Sequence, residues 1–232
     1  MTNHGTNFKI VCAKYPESLS MNRRLLASVF ALLLVGTSSL LALPVHAADE
    51  APDTLILRLT TEVLNGIKSD QSIQAGEVPR IVALVDAKLM PNVNFKRMTA
   101  SAVGPAWRQA TPEQQKRLQE EFKTLLVRTY AGALAQVNNV TITVKPLRSS
   151  AQESDVLVRT EIRGRDDPIQ VDYRLEKTPG EGAGWKIYNL NVMGVWLVET
   201  YRSQFAQEIN GKGIDGLIAT LTDRNKLNAK KG

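Results

Sequence analysis

The sequence predicts an α+β fold in which helices pack on one face of a four-stranded antiparallel sheet. Two observations predict it: apolar residues recur at helical spacing from about residue 53 to 134, and they alternate with polar residues from 140 to 192. After Gly194 the helical spacing returns. Helices that precede and follow an antiparallel sheet, rather than alternating with its strands, are typical of this layered class. We expect residues 48–232 to form a single domain.

Three helices open this region. Asp53 can cap the first one, whose apolar stripe ends at Ile67. The second begins near Val78 and ends at Met90, because a residue that precedes proline is pushed out of the helical region. The third extends from residue 94 towards Gly104.

The fourth helix has the clearest start signal in the chain. Thr111 is a good N-cap residue, Pro112 suits the first helical position, and Gln114 completes a capping box. One face then carries apolar side chains as far as Leu134, while polar and charged residues occupy the opposite face.

Four alternating runs follow, at residues 140–144, 156–162, 169–175 and 185–192. The short turns between them predict an antiparallel meander with one face buried. Gly194 ends the last strand, and we expect one helix to about Ile209 and a final short helix from Ile214 to Leu221.

Residues 21–47 have the pattern of a secretory signal peptide. Arg23 and Arg24 precede an apolar stretch, and Val45 and Ala47 are small residues at the positions that signal peptidase reads. We expect cleavage after Ala47; the alternative is a membrane anchor, which the polar break at residues 36–39 disfavours. Residues 1–20 precede the charged region, so we expect them to be an artefactual extension with translation beginning at Met21.

The residues after position 47 exclude several kinds of chemistry. They contain no histidine and no cysteine, because His4, His46 and Cys12 all lie earlier. This excludes His- or Cys-ligated zinc, a Ser-His-Asp triad and a thiol nucleophile, whereas a carboxylate pair or a carboxylate-bound magnesium ion stays open. Without residues 1–47 the formal net charge falls from +6 to +3, with no basic stripe, so we expect no nucleic-acid partner.

Several short sequence motifs match those of a known family. They are Asn-Phe-Lys-Arg-Met at 94–98, Trp-Arg-Gln-Ala-Thr-Pro-Glu-Gln at 107–114, Thr-Tyr-Ala at 129–131, Gly-Trp-Lys-Ile-Tyr-Asn-Leu at 184–190, Gly-Val at 194–195 and Glu-Thr-Tyr-Arg-Ser-Gln-Phe at 199–205. With them, the chain from about Asp53 to Asn225 resembles the periplasmic phospholipid-binding component of the Mla (maintenance of lipid asymmetry) pathway, also called the toluene-tolerance auxiliary family. Met193 and Trp196 depart from the family pattern, which has a charged and a smaller residue there.

The resemblance implies a carrier, not an enzyme, with no cofactor and with phospholipid as its cargo. It implies a curved sheet that encloses an apolar cavity with its helices, on an NTF2-like or cystatin-like scaffold. It further implies a periplasmic protein that exchanges lipid with an outer-membrane lipoprotein–porin complex and with an inner-membrane ABC transporter bearing a lipid-binding ring subunit. Because nothing in the sequence resembles a coiled coil or a swapped arm, we expect a monomer.

The apolar faces supply the candidate lipid-binding residues. These are Phe122, Leu126, Tyr130, Val158, Val171, Tyr173, Ile187, Trp196 and Phe205. For any one of them, an ordinary core position is the alternative that general burial tendencies favour. Arg202 is the candidate for contacting a lipid phosphate, and a structural ion pair with an acidic residue is the alternative.

Three rival functions stay open at this point. One is a secreted hydrolase that uses carboxylates or a Ser-Lys pair, since scaffolds of this kind host enzymes as well as binders. The second is a carrier of another apolar cargo, and the third is an adaptor whose groove binds a partner helix. The identity of a co-purified ligand distinguishes them.

Overall fold

Six helices and a five-stranded sheet make up the part of the chain that the computed structural model describes, residues 50–135, 139–147, 153–164 and 167–229. The helices are α1 (Pro52–Ser69), α2 (Gln71–Gln74), α3 (Val78–Lys88), α4 (Phe95–Val103), α5 (Pro112–Ala135) and α6 (Leu197–Ala229). The strands are β1 (Thr141–Val144), β2 (Asp155–Arg163), β3 (Ile169–Lys177), β4 (Trp185–Val192) and β5 (Val195–Trp196). Two 3-10 turns, Met90–Asn92 and Gly104–Arg108, follow α3 and α4. The predicted α+β class is confirmed.

The capping box at the start of α5 is confirmed. The Gln114 amide donates to Thr111 Oγ1 at 3.2 Å, and the Thr111 amide donates to Gln114 Oε1 at 2.9 Å. Two N–H groups at the start of the helix, which have no partner within it, are thereby satisfied.

The predicted cap of α1 is wrong. The N-cap residue is Ala51, which makes no side-chain cap, and Pro52 takes the first helical position. Proline is pre-organised for that position, so the helix begins before Asp53. The carboxylate of Asp53 accepts instead from the Thr54 amide at 3.0 Å.

The short helix α2 was not predicted. Asp70 Oδ1 accepts from the amides of Ser72 and Ile73 at 2.9 Å and 3.4 Å, which fixes one turn between α1 and α3. Four residues are too few for a helical period to show in the sequence.

The sheet is an antiparallel meander in the order β1-β2-β3-β4-β5, so the expected count of four strands is one too low. The fifth strand has two residues, in which Val195 pairs with Val192 and Trp196 with Asn191. Met193 and Gly194 turn the chain with φ values of 52° and 85°. Two successive positive φ values are typical of the tight hairpin turn, so Met193 and Gly194 form a hairpin turn and the sheet does not end at Gly194.

Helix α6 is broken at Gly213, whose φ of 69° and ψ of −173° are not helical. The part after the break extends to Ala229, beyond the predicted end at Leu221. The reason is Asn225, a buried polar residue one turn beyond Leu221. Its Nδ2 donates to the backbone oxygen and to Oε2 of Glu121 at 2.9 Å and 2.7 Å, which ties the end of α6 to α5.

The apolar stripe of α1 is buried as predicted, with Leu55 and Ile56 no more than 1% exposed. All the described residues belong to one compact unit, which spans His46–Gly232. Within the described ranges no helix is both long and apolar enough to cross a bilayer. The predicted extension 1–20, the signal peptide 21–47 and the cleavage after Ala47 lie outside the described residues.

Candidate functional site

Four of the nine candidate lipid-binding residues come together under α1. Val158, Val171, Tyr173 and Ile187 belong to one buried cluster with Leu55, Ile56 and Leu59 of α1, and we call it the sheet cluster. The strand register explains the grouping, because Val158 pairs with Tyr173 across β2 and β3 and directly paired residues share a face.

Four others come together between the helices. Phe122 and Phe205 lie in a second buried cluster, formed by α4, α5 and α6, against which Leu126 and Tyr130 are partly buried; we call it the helical cluster. Its centre is aromatic: the ring of Phe122 lies 4.9 Å from that of Tyr201 and 5.2 Å from that of Phe205, both edge to face. This geometry is the favoured one for aromatic pairs.

The two clusters meet at Leu190 and Val93. Both side chains are half-buried, and both pack against the sheet cluster and the helical cluster. Leu190 pairs directly with Tyr173 across β3 and β4, which places it on the same face. The candidate residues therefore line two sides of one continuous apolar region.

Tyr173 and Tyr201 bring hydroxyl groups into this region. Burial raises the pKa of Tyr173, while hydrogen bonds with Thr60 of α1 and Thr160 of β2 act in the opposite direction. Burial likewise raises the pKa of Tyr201, against a hydrogen bond with Thr129. Since the raised pKa values keep both phenols neutral at physiological pH, their burial adds no charge to the apolar region.

Trp196 is not brought together with the other eight residues. It pairs with Asn191, which in turn pairs with Asp172, and Asp172 alternates along β3 with the inward-facing Val171 and Tyr173. Trp196 therefore lies on the opposite face of the sheet. There the guanidinium of Arg174 lies 4.0 Å from its ring centroid, a cation–π contact.

Arg202, the candidate for contacting a lipid phosphate, lines an open pocket of about 630 Å³. We call it the arginine pocket, and it is lined by Arg97, Ala100, Ser101, Gly104, Pro105, Trp107, Arg108, Gln109 and Arg202. Arg202 is exposed, and its Nε donates to the backbone oxygen of Ser101 at 2.8 Å. The alternative of an ion pair with an acidic residue is not seen within the described ranges.

A second arginine of the pocket is held by the sheet. Arg97 Nη1 lies 2.6 Å from Glu176 Oε2 and its Nη2 lies 3.2 Å from Asp155 Oδ1. Its guanidinium stacks 3.5 Å from the ring centroid of Tyr188. Partial burial lowers the pKa of Arg97, but hydrogen bonding and the charges of Glu176 and Asp155 outweigh it and raise the pKa above its ordinary value.

Sequence reasoning missed Leu190, Arg97 and Arg108. Strict alternation along β4 would place Leu190 on the face opposite Ile187, but a bulge in the β3–β4 ladder leaves Tyr188 unpaired and moves Leu190 to the face of Tyr173. Arg97 and Arg108 lie within the family motifs at 94–98 and 107–114, so the sequence did mark both segments as ones that matter. What the sequence does not give is that both reach Arg202, about a hundred residues later in the chain.

Comparisons with known proteins agree with this architecture. A family model described as MlaC protein matches residues 57–223. The toluene tolerance protein ttg2D of Pseudomonas putida is 30% identical over 175 residues, which are 74% of this chain and 80% of the relative. The intermembrane phospholipid transport system binding protein MlaC of Haemophilus influenzae is 23% identical over 203 residues, 87% of this chain and 94% of the relative. A solved structure, the phospholipid-binding protein from Ralstonia solanacearum in complex with a phospholipid, is similar with a TM-score of 0.73 and 44% identity, over 76% of this chain and 98% of that chain.

Proposed function

Because the chain belongs to the MlaC protein family, whose model matches residues 57–223, we propose that it is a periplasmic carrier of phospholipids. The observation that carries the proposal is the match to the Ralstonia solanacearum protein, which is 44% identical and was solved with a phospholipid bound. The match spans 98% of that chain, which supports a similar cargo for this protein.

The apolar region described above is the proposed cargo site. The acyl chains lie against Val158, Val171, Tyr173 and Ile187 on the sheet side, and against Phe122, Leu126, Tyr130 and Phe205 on the helical side. Leu190 and Val93, at the junction, complete the lining. Trp196 is left out because its ring contacts Arg174 on the other face of the sheet. Arg202 contacts the lipid phosphate.

Burial of acyl chains explains why such a carrier depends on partners. Each buried CH₂ contributes about 0.8 kcal/mol relative to water, so two chains gain on the order of 20 kcal/mol. A bilayer offers the chains nearly the same gain, so the net preference for either location is small. The direction of transfer is then set by the proposed partners, an outer-membrane lipoprotein–porin complex and an inner-membrane ABC transporter with a lipid-binding ring subunit.

We assign no catalytic step to this site. Within the described ranges, no group of three or more His, Cys, Asp or Glu side chains is placed to hold a metal ion. The tyrosine hydroxyls in the apolar region have pKa values raised by burial, and a neutral phenol is a poor nucleophile.

The proposal is tested by native mass spectrometry of the protein recovered, without detergent, from the periplasmic fraction of cells that express the full chain. We expect an added mass of one phospholipid per chain, identified after solvent extraction, on a polypeptide that begins at Ala48. Protein that is bare, and stays bare after incubation with phospholipid vesicles, would overturn the carrier and favour the adaptor. A different lipid as the bound species would favour a carrier of another apolar cargo.

A further inference from the structure

The arginine pocket carries positive charge that the surrounding protein leaves uncompensated. Its described lining includes three arginines and no Asp or Glu. The charge of Arg97 is balanced by Glu176 and Asp155, which lie outside the pocket lining. Arg108 is exposed and has no hydrogen-bond or ion-pair partner among the described residues, and in the same ranges Arg202 has only the bond from its Nε to Ser101.

The bond to Ser101 pre-organises Arg202 as a ligand-binding group. It uses Nε and holds α6 against α4, which leaves both Nη groups of Arg202 available to a ligand. A guanidinium held at one edge loses little freedom when its other N–H groups bind an anion. Arginine side chains presented in this way fit phosphate oxygens, to which they donate two parallel hydrogen bonds.

The pocket also adjoins the proposed cargo site. Trp107, in the pocket wall, is partly buried against the helical cluster. Tyr201, which precedes Arg202, is a member of that cluster, with its ring 4.9 Å from that of Phe122. A volume of about 630 Å³ is in the range of small-molecule sites and exceeds what a single ion requires. Cationic groups beside an apolar region suit a ligand that has an anionic end and an apolar end.

We propose that Arg108 and Arg202 bind the phosphodiester of a glycerophospholipid in this pocket, with Trp107 packed against its glycerol backbone and Arg97 as a fixed third charge. The inference rests on the proposed carrier function for the source of the phosphate. It adds that the protein recognises the phosphate itself, and so discriminates phospholipids from uncharged lipids with the same acyl chains.

The test compares dioleoylphosphatidylglycerol with dioleoylglycerol, which has the same chains and no phosphate. Each lipid is delivered from a cyclodextrin complex to the lipid-free protein, and the bound lipid is quantified by mass spectrometry. The readout is the apparent affinity for dioleoylphosphatidylglycerol divided by that for dioleoylglycerol. This ratio is compared between each variant and the wild type, so that the different solubilities of the two lipids cancel. The variants are Arg108→Gln, which changes an exposed side chain, and Arg202→Gln. Arg159→Gln is the matched control, because Arg159 is an exposed arginine of β2 outside the pocket.

We expect the ratio to fall by roughly tenfold or more in Arg108→Gln and Arg202→Gln, the range of a hydrogen bond to a charged group, and to stay unchanged in Arg159→Gln. Equal ratios in all four proteins, with both lipids bound, would overturn the phosphate site and leave the carrier standing. If wild-type protein binds neither lipid, the carrier proposal fails instead. Titration of inorganic phosphate into the lipid-free protein then tests whether the two arginines bind phosphate at all. Movement of the Arg108 and Arg202 side-chain NMR signals supports a site for soluble phosphate compounds, and unmoved signals overturn the phosphate site.

Discussion

The amide of Val198 donates to Oδ1 of Asn189 at 3.1 Å, a bond that joins the first turn of α6 to strand β4. The same oxygen accepts from the Leu190 amide at 2.9 Å, and Asn189 Nδ2 donates to Glu199 Oε2 at 2.8 Å. Because Asn189 Oδ1 accepts from an amide in the first turn of α6, the side chain acts as an N-cap supplied by another element. Asn189 is only 2% exposed. It positions the helix that carries Tyr201, Arg202 and Phe205.

Asn189→Ala removes the acceptor of the Leu190 and Val198 amides, in a place that water does not reach. We expect the free energy of unfolding, measured by urea denaturation, to fall by about 2–3 kcal/mol. Asn210→Ala is the control, because Asn210 is exposed on the same helix, and we expect it to change stability by no more than about 0.5 kcal/mol. Equal effects of the two substitutions would show that the cap contributes nothing.

Asn189→Asp separates the two roles of the side chain. The aspartate keeps an acceptor for the Val198 amide, but it replaces the donor to Glu199 with a second carboxylate. We therefore expect a loss of stability that the double variant Asn189→Asp/Glu199→Gln largely recovers, since glutamine can donate to the new carboxylate. A double variant no more stable than Asn189→Asp alone would contradict this account.

Glu199 makes part of this stability depend on pH. Partial burial raises the pKa of its carboxyl, but hydrogen bonds from Asn189, its own amide and Arg174 outweigh this effect and hold the pKa below the ordinary value of 4.5. A carboxylate with a lowered pKa in the folded state stabilises fully above 4.5, and this contribution is lost as the pH falls through the lowered value. In urea unfolding at a series of pH values, we expect the advantage of wild type over Glu199→Gln to shrink below pH 4.5. An advantage that stays constant with pH would show that the ionisation of Glu199 does not contribute to stability.

Leu126 offers a test of the cargo site that does not depend on charge. It is half-buried at the edge of the helical cluster, so a tryptophan there would occupy space assigned to an acyl chain. Displacing two methylenes forfeits about 1.6 kcal/mol, so we expect Leu126→Trp to lower phospholipid affinity by roughly tenfold while the lipid-free protein stays folded. Leu57→Trp, at a position 44% exposed on α1, should leave affinity unchanged. Undiminished affinity in Leu126→Trp would place the acyl chains elsewhere.

The parts of the fold that local signals determine could be predicted from the sequence. Thr111, Pro112 and Gln114 determine the start of α5 within one turn, and the stripe of α1 is buried as its spacing indicates. The strand β5 could not be predicted, because nothing in the side chain of Met193 requires its positive φ. The bulge beside Arg174 could not be predicted either, and it changes which residues of β4 face the cargo site.

The sequence predicted the apolar face of each helix and strand separately, but not which of these faces meet in the candidate site. Alternation along β3 correctly grouped Val171 with Tyr173, but helical spacing gave no means of deciding which side of the sheet Trp196 would face. Its neighbour in sequence, Leu197, belongs to the helical cluster, whereas Trp196 contacts Arg174. The arginine pocket depends on contacts between residues far apart in the chain, for which a single sequence carries no signal.

The pair of Arg97 and Glu176 gives a last prediction, on how α4 is held against the sheet. Glu176 accepts from Arg97 Nη1 at 2.6 Å and from Asn94 Nδ2 at 2.6 Å, and Asn94 is also the N-cap of α4. The two charged side chains are 35% and 19% exposed, so solvent screens their attraction only in part. We expect a coupling energy of about 1 kcal/mol in a double-mutant cycle of Arg97→Ala and Glu176→Gln. The control is the cycle for Lys116 and Glu120, which are 4.0 Å apart and 80% and 55% exposed, where we expect about 0.3 kcal/mol. Equal coupling in the two cycles would mean that the short contact and partial burial of Arg97 add nothing, and that the fixed position of its guanidinium in the arginine pocket comes from its stacking on Tyr188 instead.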